Sequence, residues 1–288
     1  MTAALPDVPG VSSRFVDVGG LRVHVAEAGS GPPLVLLHGW PQHWYCWHRV
    51  VPLLADRFRL VMPDLRGHGW SDAPDGGYDK EQLATDLLGL LDALELPQVG
   101  LIGHDWGGWT GFLACLRAPE RFSAFLALGI PHPFQTLDVG RALQAWRLGY
   151  QVVLSTPALA QTLLRTSPKA VEAVIRLGSS DRLDTDVRTY GEVLQEPARA
   201  RATVALYRTF LLHESPAVMR GRYREQRLTV PTRLVVGAQD PVASEPILKG
   251  WEPYADDMTV TVLPALGHFL PEEAPEEVAR RARELFAS

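Results

Sequence analysis

The stretch VGLIGHDWGGWTGF, residues 99–112, decides how this chain is read. An apolar run from Val99 to Ile102 ends in Gly103. His104, Asp105, Trp106, Gly107 and Gly108 follow before the pattern turns helical. A strand that turns sharply into a helix forces an unfavourable backbone conformation on the corner residue. Small neighbours remove the side chains that would clash there. The corner side chain then stands at a helix N-terminus, whose free N–H groups favour an anion. This is the pattern of a nucleophile elbow with Asp105 at the corner. The plainer alternative is an Asp that only caps the helix.

A carboxylate at that corner selects its chemistry. Its reference pKa of about 3.9 leaves it ionised without a base. Attack on an ester or amide carbonyl would give a reactive anhydride. Attack on an sp³ carbon with a leaving group gives an alkyl ester that water can cleave. Asp105 therefore points to displacement at carbon, on an epoxide or an alkyl halide.

Outward from the elbow, strands and helices alternate. Arg14 to Val18 and Leu21 to Glu27 flank Gly19-Gly20, a hairpin signal. Short apolar runs of the buried-parallel kind follow at LVLL (34–37), FRLVM (58–62), VGLI (99–102), FLALGI (125–130) and RLVVG (233–237), with TVTVL (259–263) last. Leu83, Leu87, Leu90, Leu91 and Leu94 form one helical face, and Val278, Ala282 and Leu285 another. The expected fold is α/β, a mostly parallel central sheet with helices on both faces. The rhythm breaks from about 133 to 225, where only helical stripes appear: Leu143, Trp146, Tyr150 and Leu154, then Val187, Tyr190 and Leu194, then Val204, Tyr207 and Leu211. This predicts a core in two parts, residues 1–132 and 226–288, with a helical cap at 133–225 inserted between them.

Composition narrows the function classes. The chain has 288 residues and a net charge of −5 with no basic stripe, which argues against nucleic acid. Two cysteines, Cys46 and Cys115, are too few for a disulfide framework or a structural zinc site and read as buried fillers. The opening MTAALPDVPGVSSRF has no positive segment followed by an apolar one, and no run reaches the ~18 apolar residues of a membrane span. A cytoplasmic protein, working as a monomer or homodimer without metal or cofactor, is expected. Asn is absent from the whole chain.

An ester on Asp105 needs an oxyanion hole, a base and an acid that orients the base. HGWP (38–41) ends the strand LVLL, so the hole falls to the backbone N–H groups of Trp40 and Trp106. The base should be a late His, and His268 stands just after the last strand. The acid should lie between them at a strand end, where Asp240 sits in VVGAQDP. After FLALGI, the other place for an acid, the chain reads Pro131-His132-Pro133, with no carboxylate. His38 and His104 flank the site and are read as orienting loops. His24 and His48 look structural or exposed, His132 is a weaker alternative base, and Asp64 is read as structural.

With these motifs in place the sequence resembles the epoxide hydrolase branch of the α/β-hydrolase superfamily. HGWP, DLRGHGWSD, GHDWGG, IPHPF, GAQDP and GHF stand in the family's order along nearly the whole chain. The resemblance implies two cap tyrosines that assist epoxide opening. GYQVV places the first role on Tyr150 and ALYRTF the second on Tyr207. Trp40, Trp106, Phe134 and Gln151 are the expected substrate-binding residues. Haloalkane dehalogenases share most of the motifs. They need N–H donors for the halide, for which Trp106 and the cap residue Trp146 are the candidates here. A non-catalytic binding module on the same fold is the remaining alternative.

Overall fold

The computed structural model of the chain describes residues 3–135, 149–243 and 245–287. Eight strands make one sheet: β1 (Val11–Val18), β2 (Leu21–Ala28), β3 (Pro33–Leu37), β4 (Arg59–Pro63), β5 (Val99–His104), β6 (Phe122–Leu128), β7 (Thr232–Gly237) and β8 (Met258–Leu263). Their spatial order is β1-β2-β4-β3-β5-β6-β7-β8. β2 runs antiparallel to both β1 and β4, and all other pairings are parallel. Each strand read from the sequence is present, with ends shifted by one to three residues. All six residues of β5 are buried, as a central strand covered on both faces requires.

The helices before the sheet's midpoint are α1 (Val51–Leu54), α2 (Lys80–Ala93) and α3 (Trp106–Arg117). On α2 the stripe Leu83, Leu87, Leu90, Leu91 and Leu94 is buried throughout. Between β6 and β7 the described residues form helices and no strand: α4 (Gly149–Leu154), α5 (Pro157–Thr166), α6 (Pro168–Gly178), α7 (Arg188–Leu194), α8 (Pro197–Thr209) and α9 (Ser215–Met219). α4 and α5 pack on α8, and α6 packs on α7. Leu143 and Trp146 of the first stripe lie outside the described residues, whereas Leu154 is buried. α10 (Leu270–Glu273) and α11 (Pro275–Phe286) close the chain.

One stripe departs from its period. Val204 and Tyr207 are buried, but Leu211 is only half-buried. Residues Phe210–Glu214 form a π-helical turn between α8 and α9. The extra residue per turn shifts the stripe at Leu211, and Glu214 is the buried residue of that turn.

The parallel strands direct their carboxyl ends to one edge of the sheet. Asp105 follows β5, Trp40 follows β3, Asp240 follows β7 and His268 follows β8. In open α/β sheets this edge is where ligands bind.

Candidate active site

Asp105 adopts φ 50° and ψ −122°, a conformation that L side chains rarely take. The glycines around it are required by close approach. A Cβ on Gly103 would stand 2.6 Å from the Gly107 carbonyl oxygen, and one on Gly108 would stand 2.6 Å from Ile130. A Cβ on Gly107 would run into the Leu37 and His38 carbonyls, and one on Gly39 into the Asp105 carboxyl itself. Asp105 holds the N-cap position of α3, yet its side chain makes no capping bond. Instead Oδ2 accepts the Trp40 N–H at 2.9 Å, and the Trp106 N–H also donates to the carboxylate. The capping reading of this Asp is thereby set aside.

His268 faces the same carboxylate. Its Nε2 lies 3.9 Å from Asp105 Oδ1, and its Nδ1 bonds Asp240 Oδ2 at 3.0 Å. Asp240 is held in turn by the Val242 N–H, which donates to Oδ1 at 2.7 Å. All three side chains are buried. Burial pushes the Asp105 carboxyl up to about 6, against the pull of His268 and the two backbone N–H groups. Burial disfavours the His268 imidazolium, but the charge and hydrogen bond of Asp240, with Asp105 and Glu273, outweigh it and raise the ring to about 9. Between those values the two groups form an ion pair.

A cavity of about 210 Å³ opens onto this pair, lined by Trp40, Asp105, Tyr150, Val174, His268 and Phe269 among others. Apart from Asp105, Tyr150 and His268 its walls are largely apolar, as small-molecule sites are. Tyr150 and Tyr207 meet edge to face with ring centroids 6.1 Å apart. Tyr207 also packs edge-on against Trp40 at 5.4 Å and Trp106 at 5.7 Å. Burial and then the Asp105 charge push the Tyr150 phenol up; burial, Tyr150 and Asp105 do the same to Tyr207. Both therefore stay protonated at neutral pH. Gln151 donates to the Tyr150 hydroxyl at 3.4 Å. Phe134 is buried and stacks on Tyr254 at 5.2 Å.

The remaining histidines and Asp64 fix loops. His38 Nε2 accepts the Leu65 N–H at 3.0 Å, and His104 Nε2 bonds the His268 carbonyl at 2.9 Å. His24 is buried against Asp64 at 2.8 Å, and Asp64 also accepts the Trp44 and Trp70 N–H groups. His48 stacks on Tyr45, and His132 is buried beside Phe134 with Nε2 on the Lys249 carbonyl. Both cysteines are buried, and burial pushes their thiols up.

Sequence reasoning missed Glu273. Its buried carboxylate accepts the Gly267 N–H at 2.8 Å, the Phe269 N–H at 2.9 Å and the Ser180 N–H at 3.0 Å. It thus clamps both neighbours of His268 and ties them to the turn after α6. The His268 N–H donates to Gly178 O at 2.8 Å on that same turn. The adjacent Glu272 accepts from Tyr190 and Gln42, each at 2.6 Å, and burial pushes its carboxyl up to about 8. Among the described residues no group of three or more His, Cys, Asp or Glu side chains is disposed to hold a metal ion, and no helix is long and apolar enough to cross a membrane.

Comparison with known proteins gives the family. The model of the α/β-hydrolase fold family matches residues 32–275. The soluble epoxide hydrolase of a Corynebacterium species is 32% identical over 94% of this chain and 95% of its own length. Haloalkane dehalogenase 2 of Mycobacterium bovis is 31% identical over 98% of this chain and 97% of its own. The solved structure of the epoxide hydrolase CorEH without ligand superposes with a TM-score of 0.82 at 29% identity, covering 96% of this chain and 99% of that one. The chain is a hydrolase of the α/β-hydrolase fold family, akin to its epoxide hydrolases and haloalkane dehalogenases.

Proposed function

We propose that the protein converts an epoxide and water to a vicinal diol through an alkyl ester on Asp105. The observation that carries this reading is the phenol of Tyr150 in the wall of the cavity that holds Asp105 and His268, with Tyr207 beside it. Opening an epoxide leaves an alkoxide, so a neutral proton donor has to face the nucleophile. The helices between β6 and β7 act as a cap that supplies it.

The geometry distributes the roles. Asp105 Oδ2 already accepts the Trp40 N–H, which leaves Oδ1, the oxygen nearer His268, to attack the epoxide carbon. As that C–O bond forms, the ring C–O bond breaks, and Tyr150 and Tyr207 hydrogen-bond the departing oxygen while one gives it a proton. The 3.9 Å between His268 Nε2 and Oδ1 is too long for a direct hydrogen bond and suits an intervening water. His268, oriented by Asp240, takes a proton from that water as it adds to the carboxyl carbon. Negative charge then grows on Oδ2 between the Trp40 and Trp106 N–H groups, the place an oxyanion hole must occupy. Collapse of this intermediate expels the diol oxygen, which receives the proton from the imidazolium, and the proton left on the Asp105 carboxyl returns to the tyrosinate, so that both carboxylate and phenol are restored. Trp40 and the apolar wall bind the substrate's carbon skeleton; the other three expected binding residues, Trp106, Phe134 and Gln151, are not among those that line the cavity.

One observation favours a second reading, haloalkane dehalogenation. The buried Trp106 Nε1–H makes no hydrogen bond of good geometry and faces the Tyr207 hydroxyl, so a halide could take it as a donor. Turnover of styrene oxide, a fatty-acid epoxide and a bromoalkane decides between them. Diol without bromide release is the expected result, and bromide release alone would overturn the proposal. A single turnover in H₂¹⁸O should place the label in Asp105. Label appearing first in the diol would mean direct hydration.

A further inference from the structure

Lys80 is a fully buried lysine that the reaction just described does not use. It opens α2, and its ammonium donates to Glu214 Oε2 at 2.9 Å and to the Leu206 carbonyl at 2.7 Å. Glu214 accepts the Lys80 backbone N–H at 2.8 Å with its other oxygen. Glu214 is the buried residue of the π-helical turn Phe210–Glu214. Such turns are costly to keep and cluster at functional places. The ammonium also sits 4.6 Å from the centroid of the Trp106 ring and 5.2 Å from that of Phe210, close enough for cation–π attraction to both.

These contacts lead to both halves of the site. Trp106 follows the nucleophile Asp105 and gives it a backbone N–H. Leu206 precedes Tyr207, and the Tyr207 ring packs edge-on with that of Trp106 at 5.7 Å. One cation therefore grips the backbone that carries a proton donor and the indole that follows the nucleophile. A lysine that served only to fill space would be replaced without loss by an apolar chain of equal volume.

We propose that Lys80, held by Glu214, is a positioning residue for ester formation. It acts through Trp106 and Tyr207, fixing the Tyr207 hydroxyl relative to the Asp105 carboxylate. The inference rests on the epoxide hydrolase reading above.

The test is a cycle of single-turnover alkylation rates, read as mass added to the Asp105 peptide, with styrene oxide as probe. Lys80→Met combined with Glu214→Gln removes both charges, so neither is left buried alone. Alkylation should fall by about 10–100-fold with substrate affinity changed less than about threefold, as misplacement of a reacting group predicts. In a Tyr207→Phe background the same pair of changes should cost less than about threefold, because its effect passes through that hydroxyl. In a Tyr150→Phe background the full loss should persist. Equal losses in all three backgrounds, or a lowered Tm with an unchanged alkylation rate, would overturn the proposal. Should the paired variant fail to fold, Glu214→Gln alone keeps the ammonium on Leu206 and is read in the same cycle, with a smaller loss that again vanishes without the Tyr207 hydroxyl. If the wild-type protein forms no ester on Asp105, the functional reading itself fails. If it does and the cycle is additive, only the role of Lys80 fails.

Discussion

Replacing His268 with Gln should do more than trap the ester. The imidazolium lies 3.9 Å from Asp105 Oδ1, and both side chains are buried. At an effective dielectric of about 20 two unit charges at that distance attract by about 4 kcal/mol. That caps the influence of His268 on the Asp105 carboxyl at about three pH units. In the wild type burial raises this carboxyl to about 6, with His268 pulling it down. Alkylation should therefore rise with pH through about 6 and be about tenfold slower at pH 5 than on its plateau. The neutral Gln removes the cation that favours the carboxylate, so the carboxyl titrates higher. Asp240 reinforces the sign, since its negative charge also raises Asp105. The acid limb of His268→Gln should move up by about one to three pH units. Rapid quenching at a series of pH values, with the mass of the Asp105 peptide as readout, measures it directly. An acid limb unmoved or shifted downward would refute the ion pair, and turnover near the wild-type rate would refute His268 as the base.

Three other outcomes are expected. Tyr150→Phe and Tyr207→Phe should each slow alkylation by about the low end of the 10²–10⁴ range, since one donor survives, while the double variant should lose it almost entirely; a fast double variant would return both to the rank of core residues. Tyr190→Phe should lower thermal stability, because Glu272 loses a buried donor at 2.6 Å worth about 1–3 kcal/mol, and leave alkylation nearly unchanged; slowed alkylation would show that Tyr190 serves the site. Glu273→Gln should slow ester hydrolysis by about tenfold or more with little effect on alkylation, because the loop of His268 loses its clamp; a matched loss in both steps would refute that division.

Much of the site was legible because local constraints announce it. The elbow demands small residues at Gly103, Gly107 and Gly108, and each would clash if enlarged. Asp240 and His268 declare themselves by standing just past strands at the carboxyl edge. Tyr150 and Tyr207 were a different case. Periodicity set them level with Tyr190, which is as buried as Tyr207 but bonded to Glu272, whereas Tyr150 is half-buried. Only their resemblance to family segments singled them out. Glu273 and Lys80 carry no local signal at all. Glu273 looks like one more acid in PEEAPEEV, and its partner Ser180 lies 93 positions away. Lys80 reads as a first-turn surface lysine, and its partner Glu214 lies 134 positions away. Glu214 lies in a π turn, one step past the last residue at which the stripe Val204, Tyr207 and Leu211 was read.

On the proposed mechanism, the charges at the site also let one histidine serve both steps. In the resting protein His268 is held up at about 9, so near neutral pH it is an imidazolium and not a base. That state suits the first step, because the cation keeps the Asp105 carboxyl ionised despite its burial. Ester formation turns the carboxylate into a neutral group. His268 then loses one of the negative charges that raised it, while burial continues to disfavour the imidazolium. Its pKa falls, and the proton it held can leave through the open cavity. The chemistry of the first step thus creates the base that the second step needs. Asp240 sets how far this switch swings. Its charge remains after alkylation and keeps the ring oriented, so Asp240→Asn would leave a weaker imidazolium throughout and shift Asp105 upward by removing part of the cation beside it. The direct loss of the Asp240 charge works the other way on Asp105, but it ranks below His268 among the influences there. A rise in the pH needed for alkylation, caused by a residue that touches no substrate, is the signature of that coupling.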